Sequence, residues 1–233
     1  MAAFPQTRWT LIRQAAESDH PDARRALEDL CEQYSGPVLA FLRHRVSSPE
    51  KAEDIAQSFF AKLLERDLFA RADPDRGRFR TFFLHALKGF VADVHGFDTA
   101  QKRGGKGDHT ISLEVDGVAE PHHEQSPDHL FDLEWVDAIL RAAVVRLRKD
   151  YEDTGKGDLF AKLRVFLDMQ EEPVVSDVAR ELRMTEPAVR VAVHRMRKRL
   201  GDAIRAEIAE TVDEPSEVDD ELNWLMQVLE TRS

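Results

Sequence analysis

The segment VSDVARELRMTEPAVRVAVHRMRKRL, residues 175–200, begins with twenty residues that have the pattern of a helix-turn-helix. Ala179 is a small residue where two helices can cross closely, and Thr185 can cap the second helix. Arg183 takes the turn position, where a left-handed backbone costs a non-glycine residue roughly 1 kcal/mol. The apolar seam consists of Val178, Leu182, Met184, Val189 and Ala192. An ordinary helical hairpin is the alternative interpretation of this pattern.

The second helix of this motif carries a strong excess of basic side chains. Residues 180–205 hold eight Arg or Lys against three acidic residues, a local net charge of +5. Because a solvated helix face normally mixes charges of both signs, the excess favours a DNA-binding helix that enters the major groove with its N-terminal part and meets phosphates with the rest. The candidate DNA contacts are Thr185, Glu186, Arg190, His194, Arg195, Arg197 and Lys198.

A second basic stretch interleaves arginines with aromatic residues. Residues 76–106 hold seven Arg or Lys against two Asp, again +5, in a chain whose net charge is -11. Aromatic faces stack on unpaired bases and contribute roughly 1 to 3 kcal/mol per base. Since a small domain must bury some of its phenylalanines, we expect Phe82 or Phe83 to be the exposed one. The candidate DNA contacts in this stretch are Arg78, Arg80, Phe82, Phe83 and Lys88.

The elements that would position these residues are helices. Apolar residues recur at helical spacing, with a break expected after Gly36-Pro37, and Ser48-Pro49 and Ser126-Pro127 are typical helix starts. No alternation of strand and helix occurs, although Thr110–Val115 could form one short extended piece. The sequence therefore predicts an all-α protein. Its predicted parts are a first helical domain over 7–95, a flexible linker over 96–126, a second helical domain over 127–210 and an acidic tail helix over 211–233.

The tail combines negative charge with an apolar stripe. Residues 206–233 hold nine acidic residues against one Arg, a local charge of -8. Val218, Leu222, Leu225 and Leu229 recur at helical spacing with Trp224 beside them, which predicts burial. One interpretation is that the helix packs on the second domain or the linker to complete a core. The other is that it screens the basic residues Arg195, Arg197, Lys198 and Arg199.

Two further stretches, taken with the helix-turn-helix, resemble a bacterial family. Residues 52–60, AEDIAQSFF, are similar to the polymerase-binding helix of the extracytoplasmic-function (ECF) sigma factors, a subfamily of the sigma-70 family, and residues 79–84, FRTFFL, to its promoter-melting segment. The resemblance covers most of residues 20–205. Phe82 stands where the family usually has Trp, and Lys88-Gly89 stands where it usually has Arg-Asn.

The resemblance implies a transcription initiation factor with core RNA polymerase and promoter DNA as partners. The first domain would be sigma domain 2, which reads and opens the -10 element, and the second would be sigma domain 4, which reads the -35 element. Glu53, Asp54 and Gln57 lie on one predicted helix face suited to a basic coiled coil of the polymerase. An anti-sigma factor or a Ser/Thr kinase is the implied kind of regulator.

Other classes of protein lack support in the residues. Cys31 is the single cysteine, and His109, His122, His123 and His129 have no metal-ligand spacing, so we expect no metal and no cofactor. No nucleophile, acid and base triplet stands out, which predicts a protein that is not an enzyme. No apolar run is long enough to span a membrane and the N-terminus lacks signal-peptide features, so we expect a cytoplasmic protein.

Two alternatives to the sigma factor differ in how they would use DNA. A helix-turn-helix repressor or activator would bind duplex DNA without polymerase, with residues 7–95 as a sensing or dimerising domain. A site-specific recombinase would need an α/β catalytic half with a Ser or Tyr nucleophile among arginines. Tyr34 and Tyr151, the two tyrosines, lack such neighbours in the sequence.

Overall fold

The computed structural model describes residues 21–46, 48–64, 78–102, 126–167, 173–212 and 214–232. All regular elements within these ranges are helical, which confirms the predicted all-α class. The helices are α1 (Pro21–Arg43), α2 (Pro49–Leu64), α3 (Phe79–Lys102), α4 (Pro127–Asp153), α5 (Gly157–Leu163), α6 (Val175–Leu182), α7 (Glu186–Ala209) and α8 (Val218–Glu230). Short 3-10 helices occupy Arg164–Leu167 and Pro215–Glu217.

The predicted helix starts are confirmed at the atomic level. The Ser48 hydroxyl accepts a hydrogen bond from the backbone N–H of Lys51 at 3.2 Å, and the Ser126 hydroxyl accepts one from the N–H of His129 at 3.2 Å. Each serine thus satisfies one of the amides that a helix N-terminus leaves without an intrahelical acceptor. A proline follows each serine as the first helical residue, where its missing N–H costs nothing.

Two predicted helix boundaries are wrong. α1 continues through Pro37, because Tyr34, Val38 and Phe41 on both sides of it are buried and this packing offsets one lost backbone hydrogen bond. α3 extends to Lys102, so the linker expected from residue 96 does not begin there. The expected extended piece at Thr110–Val115 lies outside the described residues.

The chain divides into two compact units. The first comprises Met1–Ala138 and Ala209–Ser233, and the second comprises Ile139–Ile208. The division between the units therefore falls inside α4, between Ala138 and Ile139, and not at residue 127, where the second domain was predicted to start. The physical reason is that the first turns of α4 contribute Phe131 and Trp135 to the core of the first unit, and both side chains are almost completely buried.

The core of the first unit is a cluster of aromatic rings. Tyr34 stacks on Trp135 with ring centroids 4.1 Å apart, and Phe83 lies 5.7 Å from Tyr34 and 6.0 Å from Trp135. Phe59 meets Phe83 edge to face at 5.6 Å. Helices α1, α2, α3 and α4 each supply at least one of these rings, so the cluster joins these four helices to one another.

The second unit has its own core around the helix-turn-helix. Its buried members come from α4, α5, the following 3-10 helix, α6 and α7, and they are Leu147, Tyr151, Phe160, Leu163, Phe166, Ala179, Val189, Val193 and Met196. Val178, Leu182, Met184 and Ala192 pack against this cluster. The apolar seam predicted from the sequence is thus confirmed as part of the core.

Candidate polymerase and nucleic-acid interfaces

The turn between α6 and α7 has helix-turn-helix geometry. Arg183 adopts φ 53° and ψ 39°, the left-handed conformation expected at this position. The N–H of Arg183 donates to the Arg180 carbonyl at 3.2 Å, and the N–H of Met184 donates to the Ala179 carbonyl at 2.9 Å. These two bonds close the end of α6, as left-handed caps do. Among the described residues, Arg183 is the one non-glycine residue with a positive φ.

Helix α7 begins with the predicted cap and separates a buried face from an exposed one. The Thr185 hydroxyl accepts a hydrogen bond from the N–H of Ala188 at 3.4 Å. Val189, Val193 and Met196 are buried, whereas all seven candidate -35 contacts are exposed. These seven are Thr185, Glu186, Arg190, His194, Arg195, Arg197 and Lys198. The sequence-predicted DNA-binding residues therefore share the solvent-facing side of one helix.

Several basic side chains on α7 have partners within the second unit. A guanidinium nitrogen of Arg190 lies 3.3 Å from a carboxylate oxygen of Glu186, one turn away. Arg197 donates a hydrogen bond to the Phe166 carbonyl at 2.9 Å, and the Arg199 guanidinium lies 5.2 Å from the centre of the Tyr151 ring. The pair of Arg190 and Glu186 is exposed to solvent and salt, so a phosphate or base can compete with Glu186 for Arg190.

A groove of about 740 Å³ runs beside α7 in the second unit. Its lining includes the apolar residues Leu159, Met184 and Ala192 and the aromatic residue Tyr151. The cationic residues of the lining are Lys156, Arg195, Lys198 and Arg199. Sequence reasoning missed Lys156, because it belongs to the connection between α4 and α5 and only tertiary packing brings it to the same groove as Lys198.

The exposed face of α2 is acidic. Glu53, Asp54 and Gln57 are all exposed, while Ile55 and Phe59 on the opposite side are buried, 1% and 0% exposed. The burial of Ile55 and Phe59 leaves the polar groups of Glu53, Asp54 and Gln57 at the exposed surface. Glu53 is 3.7 Å from Arg43 in a solvent-exposed ion pair, which contributes little to stability. The carboxylates remain available to a basic partner.

The start of α3 buries one of its two adjacent phenylalanines and leaves the other partly exposed. Phe83 is completely buried in the aromatic cluster, so its expected role as a platform for an unpaired base is wrong. Phe82 is partly exposed and remains the candidate for stacking. Successive side chains on a helix point about 100° apart, so the two neighbouring phenylalanines cannot both face the core.

The basic residues at the start of α3 are covered by acidic side chains of α4 and α8. Arg78 lies 2.9 Å from Glu221, and Arg80 donates to Glu221 and to Asp132, each at 3.2 Å. Lys88, two turns later on α3, pairs with Asp128. Burial raises the pKa of Asp132, and the positive charge of Arg80 opposes that increase. All these residues belong to the first unit.

An aromatic residue of α8 completes this cover. The Arg80 guanidinium carbon lies 3.5 Å from the centre of the Trp224 ring, a close cation-π contact. Glu221 is only 3% exposed and shares the buried side of α8 with Leu225 and Val228. Nothing in the local sequence indicated these partners, since Arg80 and Glu221 are 141 residues apart in the chain.

The tail helix therefore packs where it was not expected. Both interpretations of the sequence placed α8 against the second domain, its linker or the basic residues of α7. Its contacts with Arg78 and Arg80 instead tie it to the start of α3, and the tail belongs to the first unit. The contact with Asp137 does fall within the range 127–210 that was predicted as the second domain. The predicted burial of the apolar stripe is confirmed for Leu225. Val228 and Glu221, which the prediction did not include, are also buried on this side of α8.

Residues 30–95 match the family model of Sigma-70 region 2. The matched range contains the acidic face of α2 and the basic start of α3. The match supports membership of this chain in the sigma-70 family. It also supports a role in transcription initiation that includes RNA polymerase binding and DNA binding. Neither the search of curated proteins nor the search of solved structures gave a match.

In the described ranges, no group of three His, Cys, Asp or Glu side chains is placed to hold a metal ion. Among the helices of those ranges, none has the length and apolar character needed to cross a membrane.

Proposed function

We propose that this protein is a transcription initiation factor of the ECF sigma type, which binds core RNA polymerase, recognises -10 and -35 promoter elements and promotes DNA melting. The observation that carries the proposal is that one chain joins a match to Sigma-70 region 2 at residues 30–95 with a helix-turn-helix whose second helix is basic and exposed. The protein works without a catalytic site of its own, because the polymerase supplies the chemistry.

The acidic face of α2 is the proposed contact to polymerase. Glu53, Asp54 and Gln57 project to solvent within the matched range. The carboxylates of Glu53 and Asp54 complement a basic surface. Complementary charge accelerates encounter and fixes the orientation of the two partners. An anti-sigma factor that covers this face, or a Ser/Thr kinase, is the proposed kind of regulator, and the proposed site of action is the cytoplasm.

The exposed face of α7 is the proposed contact to the -35 element. Arg190 lies in the first two turns of the helix, the part that approaches base edges in helix-turn-helix complexes. Lys198 lies two turns further along and lines the same groove as Lys156. We assign base recognition to the region of Thr185, Glu186, Arg190 and His194, and phosphate contacts to Arg195, Arg197 and Lys198.

The start of α3 is the proposed contact to the opened -10 element. Phe82 offers a partly exposed ring, and Arg78, Arg80 and Lys88 supply positive charge from the same stretch of the chain. Stacking on aromatic rings combined with phosphate contacts holds single strands with little demand on base sequence. The acidic partners described above must leave these cations before a strand can bind them.

The test is transcription in vitro with core RNA polymerase and a library of genomic promoter fragments. Specific initiation that depends on the added protein is the expected result, and it identifies the promoter at the same time. Core polymerase without the protein is the control. Tight, sequence-specific binding to duplex DNA by the protein alone, without any polymerase-dependent initiation, would contradict the proposal and support a repressor or activator.

A further inference from the structure

Helix α8 presents to the start of α3 the chemical groups that a nucleic-acid strand would present. Carboxylates bind guanidinium groups in the same bidentate and charge-assisted manner as phosphates do. Arginine planes also stack on bases when proteins bind unpaired nucleotides. Arg80 meets both kinds of group on α8, with Glu221 at 3.2 Å from its Nε and the Trp224 ring 3.5 Å from its guanidinium carbon.

The buried position of Glu221 is not explained by the needs of an apolar core. Leu225 and Val228 follow it on the same buried side of α8, where an apolar residue at 221 would complete the packing without desolvating a carboxylate. Buried ion pairs are frequently no more stabilising than apolar residues of similar volume. The carboxylate does, however, neutralise Arg78 and Arg80 together, at 2.9 and 3.2 Å.

The connection that leads to α8 remains attached to α3 independently of the helix itself. The N–H of Phe79, the first residue of α3, donates to the carbonyl of Thr211 at 3.2 Å, and Thr211 is buried. The far end of α8 is held by Arg232, which forms two hydrogen bonds of 2.8 Å with Asp137 in an exposed ion pair. Release of α8 thus requires loss of ionic contacts and of two buried aliphatic side chains, while its tether stays in place.

We propose that the surface formed by Arg78 and Arg80 binds a single strand of nucleic acid and that α8, through Glu221 and Trp224, occupies this surface in the free protein. The strand displaces α8 by placing phosphates where Glu221 lies and a base where Trp224 lies. The inference rests on the proposed function for the identity of the strand as opened promoter DNA. Binding of the strand to the free protein can be measured without polymerase.

The tether makes α8 a strong competitor for this surface. An intramolecular ligand has a high effective concentration, so a free strand must overcome it with its own contacts. The apparent affinity for the strand equals the intrinsic affinity multiplied by the fraction of molecules in which α8 is released. A change that weakens α8 without altering Arg78 or Arg80 therefore tightens strand binding.

The experiment measures binding of a fluorescent single-stranded DNA oligonucleotide to the full chain by anisotropy at several salt concentrations. Trp224→Ala and Glu221→Gln are each expected to bind about tenfold more tightly than the parent at low salt, with the difference shrinking at high salt. Glu230→Gln removes one charge from an exposed position on the same helix and should remain within about twofold of the parent. Arg80→Ala in the Trp224→Ala background should abolish the gain.

A second measurement on the unaltered protein does not depend on the stability of any variant. Hydrogen exchange of the backbone amides over residues 218–230 is expected to accelerate when the oligonucleotide is added, because α8 leaves its site. Unchanged or slower exchange at saturation would overturn the proposal. Folded Trp224→Ala and Glu221→Gln variants with parental affinity would overturn it as well, as would a gain that survives Arg80→Ala.

Failure of this inference can be distinguished from failure of the proposed function. A protein that directs initiation by core polymerase, but whose strand affinity is indifferent to Trp224 and Glu221, retains the proposed function and loses the inference. A protein whose strand affinity responds as expected, but which gives no initiation with polymerase, retains the strand site and loses the sigma-factor assignment.

Discussion

The two basic regions of the chain have the same local charge, but among the described residues the cations of the first region are more covered than those of the second. Residues 76–106 and 180–205 each carry +5. On α7 the basic side chains proposed for the -35 element project into solvent, whereas Arg80 at the start of α3 has only 13% of its side chain exposed, with Glu221 and Asp132 against it. A count of charges therefore locates a basic segment without indicating whether a ligand can reach it.

The difference follows from how far along the chain the partners lie. The orientation of α7 is set by a turn of a few residues and by a seam that is itself part of the motif. The cover of α3 comes from Asp132 and Glu221, which are 52 and 141 residues away from Arg80. One surface is thus a product of local geometry and the other of long-range packing.

The largest effect that tests this comparison is expected from a change in the aromatic core beneath the covered surface of α3. Phe83→Ala should lower the free energy of unfolding of the first unit by roughly 3 to 5 kcal/mol, because it removes a completely buried ring from the aromatic cluster. Phe82→Ala, at the partly exposed neighbouring position, should cost much less and should impair promoter opening instead. Urea unfolding paired with permanganate footprinting separates the two effects. Equal destabilisation by both changes would contradict the assignment.

The acidic face of α2 should respond as an open surface. Changing Glu53 and Asp54 together to Lys is expected to weaken core polymerase binding by at least about tenfold while leaving the melting temperature unchanged, because both side chains are exposed. Asp150 and Asp153, exposed acids of the second unit, give a control with the same change of charge. Polymerase pull-down at equal protein concentration provides the measurement, and equal recovery of both double variants would remove α2 from the interface.

The exposed surface of α7 should divide into two kinds of contact. Arg190→Ala is expected to cost about 1 to 3 kcal/mol on the cognate -35 duplex and to relax its sequence preference. Lys198→Ala should weaken binding to all duplexes alike and reduce the salt slope by about one unit, as loss of a phosphate contact does. Titrations of cognate and scrambled duplexes at several salt concentrations test this. Identical profiles for the two variants would refute the division.

The smallest effect concerns the turn that orients the exposed surface. Arg183→Gly should raise the stability of the second unit by up to about 1 kcal/mol, because glycine adopts a φ of 53° without steric strain. The same change at Arg180, in the body of α6, should instead lower stability by about 1 kcal/mol. Thermal unfolding of the two variants gives the comparison, and destabilisation of equal size at both positions would show that the left-handed turn is not strained.

The sequence alone determined the elements that depend on nearby residues. Ser48 and Ser126 cap their helices as predicted, and Thr185 and Arg183 form the turn that the spacing indicated. Hydrogen bonds to a cap or across a turn join residues within five positions of one another, so residue type and spacing suffice to predict them. The exposure of Arg190 and Lys198 followed in the same way, because helical periodicity opposes them to a buried seam.

Only the tertiary structure decided which of two adjacent phenylalanines is buried, where the units divide and where the tail lies. Phe82 and Phe83 are the same type of residue and have nearly the same neighbours in the sequence. Phe83 is the one that packs against the aromatic rings of α1, α2 and α4. The tail helix carried an apolar stripe and negative charge that fit any basic, partly apolar surface. Its choice of Arg78 and Arg80 depends on shape and on desolvated ion pairs between distant segments, and neither quantity can be obtained from spacing along the chain.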